Sequence, residues 1–347
     1  MAAKRPSVKD VAALAGVAVG TVSNVLNRPD IVAEPTRRAV EEAIAALGFT
    51  RNESARQLRA GASRSLAMVV MDVANPFFTD LYTGAEAFAL ERGFSIQLGN
   101  SGNDPERERQ QLAAFEQQRV RGMLLAPIGV AGGSVERLRE RGMPTVLVDR
   151  VASDVEACSV AVDDVEGGRL AVAHLIDGGH QRIAFVGGPA ELQQIRDRLA
   201  GSRRAVADAP RPVELSVVDT ATLGARDGRE AAERLLALPA GERPTAVFAA
   251  NDLLALGLLQ GFVTAGLRVP DDVAIVGYDD IDFAATAAVP LSAVRQPRRE
   301  IGYSAGELLF REIEDLDAGA THVHQHVRFV PELIVRRSSA PAAVSAQ

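Results

Sequence analysis

Cysteine is nearly absent, with Cys158 the single example in 347 residues. One cysteine cannot form an intrachain disulfide, and the pattern fits a reducing compartment, so the expected location is the cytoplasm. No stretch of 18 apolar residues occurs, so neither a transmembrane helix nor a membrane partner is expected. Met1–Asp10 carries charges but no apolar core, unlike a secretory signal. The motifs of common enzymes are missing as well. There is no GxxxxGK(S/T) phosphate loop, and no GxGxxG follows the first strand, since Gly129–Gly133 and Gly187–Gly188 do not fit that fingerprint. HExxH, GxSxG and paired-cysteine sites are also lacking. Asp163–Asp164 and Asp279–Asp280 read as turn carboxylates rather than acid/base pairs. The expectation is a protein that is not an enzyme and carries no cofactor.

The apolar share of 47% and charged share of 24% are those of a globular protein, and 347 residues suffice for two or three domains. The net charge of −7 hides an asymmetry. Residues 1–64 hold ten Lys and Arg against six Asp and Glu, a net +4, which leaves −11 for the remainder. A small basic head on a large acidic body points to a polyanion-binding module joined to something else.

In the head, Ser7 and Asp10 have the spacing of a capping box ahead of a short helix with Val8, Val11, Ala12 and Leu14 on one face. Gly16 breaks it. A second helix over 19–27 buries Val22, Val25 and Leu26 and turns Gly20, Asn24 and Asn27 outward. A third, over 34–47, has Pro35 in its first turn, an apolar stripe of Val40, Ala43, Ile44 and Leu47, and Gly48 at its end. Two short helices around a glycine turn and a third packed on them describe either a helix-turn-helix or a generic three-helix unit. Residues 52–60 can form about two helical turns carrying Arg56, Leu58 and Arg59. An apolar wedge between arginines suits minor-groove insertion, and a solvated linker is the plainer alternative.

Lys9–Val17, Thr21–Asn27, Thr36–Arg37 and Ala55–Arg59, in this order and spacing, resemble the LacI (lactose-repressor) family. The resemblance runs through about residues 6–338. It implies a sequence-specific transcriptional regulator, most often a repressor, working as a homodimer on double-stranded DNA with a pseudo-palindromic operator. By position, Val19, Gly20 and Asn24 face bases, while Thr21, Ser23, Asn27 and Arg37 mostly touch phosphates. Residues 52–64 would be the hinge and linker, with Leu58 as wedge beside Arg56 and Arg59. Ala18 and Ala33 stand where the family often has Ser or Thr caps.

From Ser65 the texture changes to apolar strands alternating with helices, the pattern of parallel α/β sheets. Ligands in such sheets sit at the C-terminal ends of strands. Polar residues stand after five of them: Asp72 with Asn75–Phe78, Asp149–Arg150, Arg196 past Gly187–Gly188, Asn251–Asp252, and Asp279. The blocks 75–78, 146–150, 198–201, 249–252, 269–280 and 294–297 again resemble the LacI family, whose regulatory domain is like the periplasmic sugar-binding proteins. The expected fold is an all-α helix-turn-helix head (1–51) and hinge (52–64), then a two-lobed α/β body with parallel sheets (65–340). Lobe one would take 65–161 plus 292–322, lobe two 162–291 plus 323–340, with 341–347 a disordered tail. The implied contacts to a small-molecule effector, a sugar or related metabolite, are Asp72, Phe78, Asp149, Arg196, Asn251, Asp279 and Gln296. Arg196 and Asp279 lead, because a guanidinium and a carboxylate suit vicinal hydroxyls. Leu223 replaces an aromatic usual in the family. The tail lacks Leu heptads, so a dimer rather than a tetramer is expected.

A solute-binding protein or a sugar-acting enzyme on the same body is the alternative, but neither needs a basic head. His322, His324 and His326 alternate. A strand would put them on one face, where they could hold a metal, although a plain strand near a crossover explains them too.

Overall fold

In the computed structural model, which describes residues 6–49, 63–129, 132–152 and 155–340, the first helix starts where the sequence supplies a cap. Ser7 Oγ accepts from the Asp10 N–H at 3.4 Å while the Ser7 N–H donates to Asp10 Oδ2 at 2.7 Å. Helix α1 (Val8–Ala15) then runs to Gly16, whose φ of 65° is left-handed and suits glycine. Helices α2 (Val19–Asn27) and α3 (Glu34–Leu47) begin at Ala18 and Ala33, which make no side-chain cap. Val11, Ala12, Val22, Val25, Val40 and Ala43 form the small core of this unit. The compact division of the chain falls between Ala62 and Ser63.

The second unit opens with β1 (Ser65–Val70), α4 (Pro76–Glu91), β2 (Ser95–Asn100) and α5 (Pro105–Gln117). It continues through β3 (Met123–Leu125), α6 (Gly132–Glu140), β4 (Thr145–Val148), β5 (Cys158–Val162) and α7 (Asp164–Asp177). Next come β6 (Arg182–Val186), α8 (Gln193–Ala207), β7 (Glu214–Val218), α9 (Ala225–Leu236) and β8 (Ala246–Ala249). Then follow α10 (Asp252–Thr264), β9 (Ala274–Asp279), α11 (Asp282–Ala285), β10 (Ser292–Arg295), α12 (Arg298–Asp317), β11 (His326–Phe329) and β12 (Glu332–Ile334).

The strands build two six-stranded sheets, ordered β11-β5-β4-β3-β1-β2 and β12-β10-β9-β8-β6-β7. Helices cover both faces, so strand residues of either parity are buried. Leu66, Met68 and Val70 pack with Leu81 and Phe88 of α4 and Leu308 and Leu309 of α12. Ala67 and Val69 point the other way, to Leu112 and Phe115 of α5 and Leu138 of α6.

Two expectations need correction. Ser292–Arg295 pairs in parallel with β9, and His326–Phe329 pairs in parallel with β5. The chain therefore crosses between lobes after Arg295 and after Phe329 rather than at 292 and 323. Sheet membership is set by edge hydrogen bonds, which a four-residue apolar run does not encode. The second sheet is also not wholly parallel, because β12 runs antiparallel to β10.

Helices α7 and α8 meet backbone to backbone. A Cβ at Gly168 would strike the Arg198 carbonyl, and one at Gly201 the Val165 carbonyl. This close crossing brings Asp164, at the start of α7, against Arg198 of α8. Gly84 and Gly302 play the same part between α4 and α12, setting Asp80 beside Arg298 and Arg299.

Candidate functional site

Helix α2 of the head turns a face of small and polar residues outward. Val22 and Val25 fasten α2 to the core, which leaves Val19 46% exposed and Gly20 and Asn24 in solvent. Thr21 and Ser23 are half-buried at its flanks. Asn27 is exposed, but its Nδ2 donates back to the Ser23 carbonyl at 2.8 Å and to Ser23 Oγ at 3.2 Å. Arg37 lies 3.9 Å from Glu41, a long surface pairing that costs little to break for a phosphate. A small residue beside a free amide lets a helix approach a major groove closely and present a bidentate donor–acceptor pair. Arg56, Leu58 and Arg59 lie outside the described residues.

In the body, strand ends and helix starts gather an acid-rich, buried cluster. Arg198 is 3% exposed and is its centre. Its Nε donates to Asp164 Oδ1 at 2.7 Å and its Nη1 to the Ala250 carbonyl at 2.6 Å. The guanidinium lies 3.7 Å from the centroid of the Tyr278 ring. Burial alone would lower its pKa, but Asp164, Tyr278, Asp279 and Asp149 together hold it above the ordinary arginine value. Asp149 follows β4 with a φ of 59°, and its Oδ2 accepts from Gln194 Nε2 of α8 at 3.0 Å. Burial first, then the Asp164 charge, pushes the Asp149 carboxyl well above the usual range, against the pull of Arg198. Asp279, at the end of β9 with a φ of 102°, accepts from Gln296 Nε2 at 2.8 Å. Burial raises its carboxyl to about 6, opposed chiefly by Arg198.

Among the described residues, at least two links tie the lobes, besides the Asn75 side chain that bonds Asp279. One is the Asp149–Gln194 hydrogen bond. Another runs through Arg298, whose Nε donates to Asp80 Oδ2 at 2.8 Å while Nη1 donates to the Asp279 and Asp280 carbonyls at 2.6 Å each. Buried polar atoms in this region without a hydrogen-bond partner include Asp149 Oδ1, Gln296 Oε1 and Asn251 Nδ2, and also Asp252 Oδ1 and Tyr278 Oη. The other oxygen of Asn251 caps α10, accepting from the Leu254 N–H at 2.9 Å.

The expected effector residues thus divide. Asp149, Asp279 and Gln296 come together, and Asn251 stands close to the same strand ends with its amide unpartnered. Asp72 is half-buried and closes a local turn, its Oδ1 accepting from the Ala74 N–H at 2.9 Å. Phe78 is in the core, edge-on to Phe77 at 5.0 Å. Leu223 is half-buried against the same core. Arg196 is exposed, and its guanidinium bonds the Ala190 and Glu191 carbonyls at 3.1 and 2.7 Å. Arg198, two residues on, holds the central place the sequence reading gave to Arg196. Asp164, read from the sequence as a turn carboxylate, is instead buried and paired with Arg198; Gln194, Tyr278 and Arg298 carried no expectation. The 198–201 block and the glycines facing it were the available signal. A surface hollow lined by Arg182, Leu235, Phe262, Leu267 and Val273 lies at the opposite ends of β6, β8 and β9, and none of the expected effector residues lines it.

Residues 7–52 match the family described as bacterial regulatory proteins, lacI family, and residues 172–339 match a periplasmic binding protein-like domain. The HTH-type transcriptional repressor PurR of Vibrio parahaemolyticus is 34% identical over 340 residues, spanning 96% of this chain and 98% of its own. Among solved structures, the transcriptional regulator CelR in complex with cellobiose is 33% identical with a TM-score of 0.68, over 96% of this chain and 100% of that one. The lac repressor dimer bound to operator and the anti-inducer ONPF is 26% identical with a TM-score of 0.81, over 97% of this chain and 99% of that one.

Proposed function

The chain belongs to the LacI family of bacterial regulatory proteins, and from that premise we propose that it is a cytoplasmic homodimer whose hold on a pseudo-palindromic operator is set by a polyhydroxylated effector, a sugar or related metabolite, bound between the lobes. It is a DNA-binding transcriptional repressor rather than an enzyme. The observation that carries the effector reading is the group of partnerless buried atoms at these strand ends, among them Asp149 Oδ1, Gln296 Oε1 and Asn251 Nδ2. Each such atom costs about 1–3 kcal/mol while unpaired. Sugar hydroxyls both donate and accept, so a carbohydrate supplies partners to two acceptors and a donor at once. The cellobiose complex of the CelR relative supports the same ligand class.

Asn24 reads adenine by a bidentate bond. Thr21, Ser23, Asn27 and Arg37 hold phosphates, and Arg56, Leu58 and Arg59 engage the minor groove once two hinges meet in the dimer. An effector seated on Asp149 and Asn251 exchanges the direct Asp149–Gln194 link for contacts of its own. It shifts operator affinity only by its differential affinity for the two lobe arrangements. The test is a thermal-shift screen of sugars against the full chain and Asp149→Asn. A sugar should raise the melting temperature of the unaltered chain and fail to do so in the variant. Equal shifts in both would remove Asp149 from the site.

A further inference from the structure

Away from the interlobe cluster, the first lobe gathers four side chains of metal-ligand type. Cys158 opens β5, Glu312 lies on the inner face of α12, and His322 and His324 belong to the segment that leads into β11. Cys158 and Glu312 are buried, at 0% and 3% exposure. One ligand atom from each of the four lies within 4.8 Å of all the others, the one such group among the described residues. Cys158 Sγ is 3.2 Å from His322 Nε2 and 3.7 Å from His324 Nδ1. His326, which alternates with these two in the sequence, turns away, and its Nδ1 lies 2.9 Å from Ser159 Oγ.

We propose that Cys158, Glu312, His322 and His324 form a closed, four-coordinate site for a divalent zinc ion. Zinc–sulfur and zinc–nitrogen bonds of about 2.3 and 2.0–2.1 Å at a tetrahedral angle place the two donors about 3.6 Å apart. The two observed sulfur–nitrogen distances bracket that value. The hydrogen bonds lead to the same place. His322 Nδ1 is 2.7 Å from Asp315 Oδ2, and the neutral tautomer that donates to this carboxylate presents the Nε2 lone pair to the site. Glu312 Oε2 is buried without any hydrogen-bond partner. One divalent cation would satisfy the Glu312 oxygen, both ring nitrogens and the Cys158 sulfur together. The Asp315–His322 pair is the outer carboxylate that orients a metal-bound imidazole. Mixed sulfur, nitrogen and oxygen donors suit zinc better than magnesium or calcium.

Binding forms a zinc–thiolate bond and releases the Cys158 proton to solvent, with no change of oxidation state. All four positions are filled by protein, so the ion is structural. It fastens β5, α12 and the segment entering β11, the strand after which the chain crosses to the second lobe.

The test uses the full chain, stripped with a chelator, incubated with zinc chloride, desalted and analysed by elemental mass spectrometry. One zinc per chain is expected in the unaltered protein and in His326→Ala. Cys158→Ser and His324→Ala should retain almost none, and Asp315→Asn should bind about 10–100-fold more weakly. Cobalt(II) in place of zinc should give a thiolate-to-cobalt charge-transfer band that Cys158→Ser abolishes. If Cys158→Ser fails to fold, the partly exposed His324→Ala decides the matter alone. A folded, unaltered chain that retains no zinc, or retention unchanged in His324→Ala, overturns the proposal.

Discussion

Arg198→Met is the most informative single change to the body. Methionine keeps much of the volume, so the cavity cost stays small. What is lost is the charge that neutralises Asp164, itself only 7% exposed, together with the bond to the Ala250 carbonyl. Removing one partner of a buried ion pair costs about 3–5 kcal/mol. At about 4 kcal/mol the folding equilibrium falls close to a thousandfold, which is a large part of the stability of an ordinary domain. Urea unfolding of the full chain, followed by circular dichroism because no tryptophan is present, measures the loss. The second arm is Asp164→Asn in the Arg198→Met background, which removes the stranded charge and should recover half or more of the deficit. A cost below about 1 kcal/mol, or no recovery in the double variant, would refute the view that Arg198 neutralises this acid cluster.

Three further outcomes follow from the same structure. Asn24→Ala should cost about 1–3 kcal/mol at one base position in each half-site; equal losses on every duplex, measured by competition binding, would deny it a reading role. Ala33→Ser should supply the cap that α3 lacks and stabilise the head by about 0.5–2 kcal/mol, read from its thermal unfolding; no gain would mean the helix start is already satisfied. The Asp279 carboxyl, raised by burial to about 6 from an ordinary 3.8, makes the folded state bind the extra proton between those values. Its contribution to stability therefore falls as pH rises from about 4 to 6, and Asp279→Asn should flatten that slope in pH-dependent urea unfolding. An unchanged slope would mean that Asp279 titrates as it does unfolded.

Much of this architecture was legible in the residues. The Ser7–Asp10 capping box, the Gly16 and Gly48 stops and the apolar stripes mark the three head helices, because each is a local, chemically specific signal. Buried strands in the body read as continuous apolar runs because helices cover both sheet faces. The two late crossings were misplaced because strand pairing, which the residues of β10 and β11 do not themselves mark, decides their sheets: Ser292 pairs with Val276 of β9, and His326 with Ser159 of the distant β5. Arg198 went unseen for a related reason. On its own helix it resembles any solvated arginine, and only the Gly168–Gly201 crossing shows that it is buried against Asp164. The histidine alternation was visible, but Cys158 and Glu312 join it only through tertiary packing, and His326 leaves it.

The central claim is a metabolite-tuned reader of a two-fold operator, and DNA binding by fluorescence anisotropy tests it most directly. The purified full chain is titrated at modest salt against palindromic and random duplexes, with and without each candidate sugar. The account predicts at least about a thousandfold preference for one palindrome, and a change of about fivefold or more when the right sugar is added. Equal affinity for all duplexes, whatever sugar is present, would contradict it.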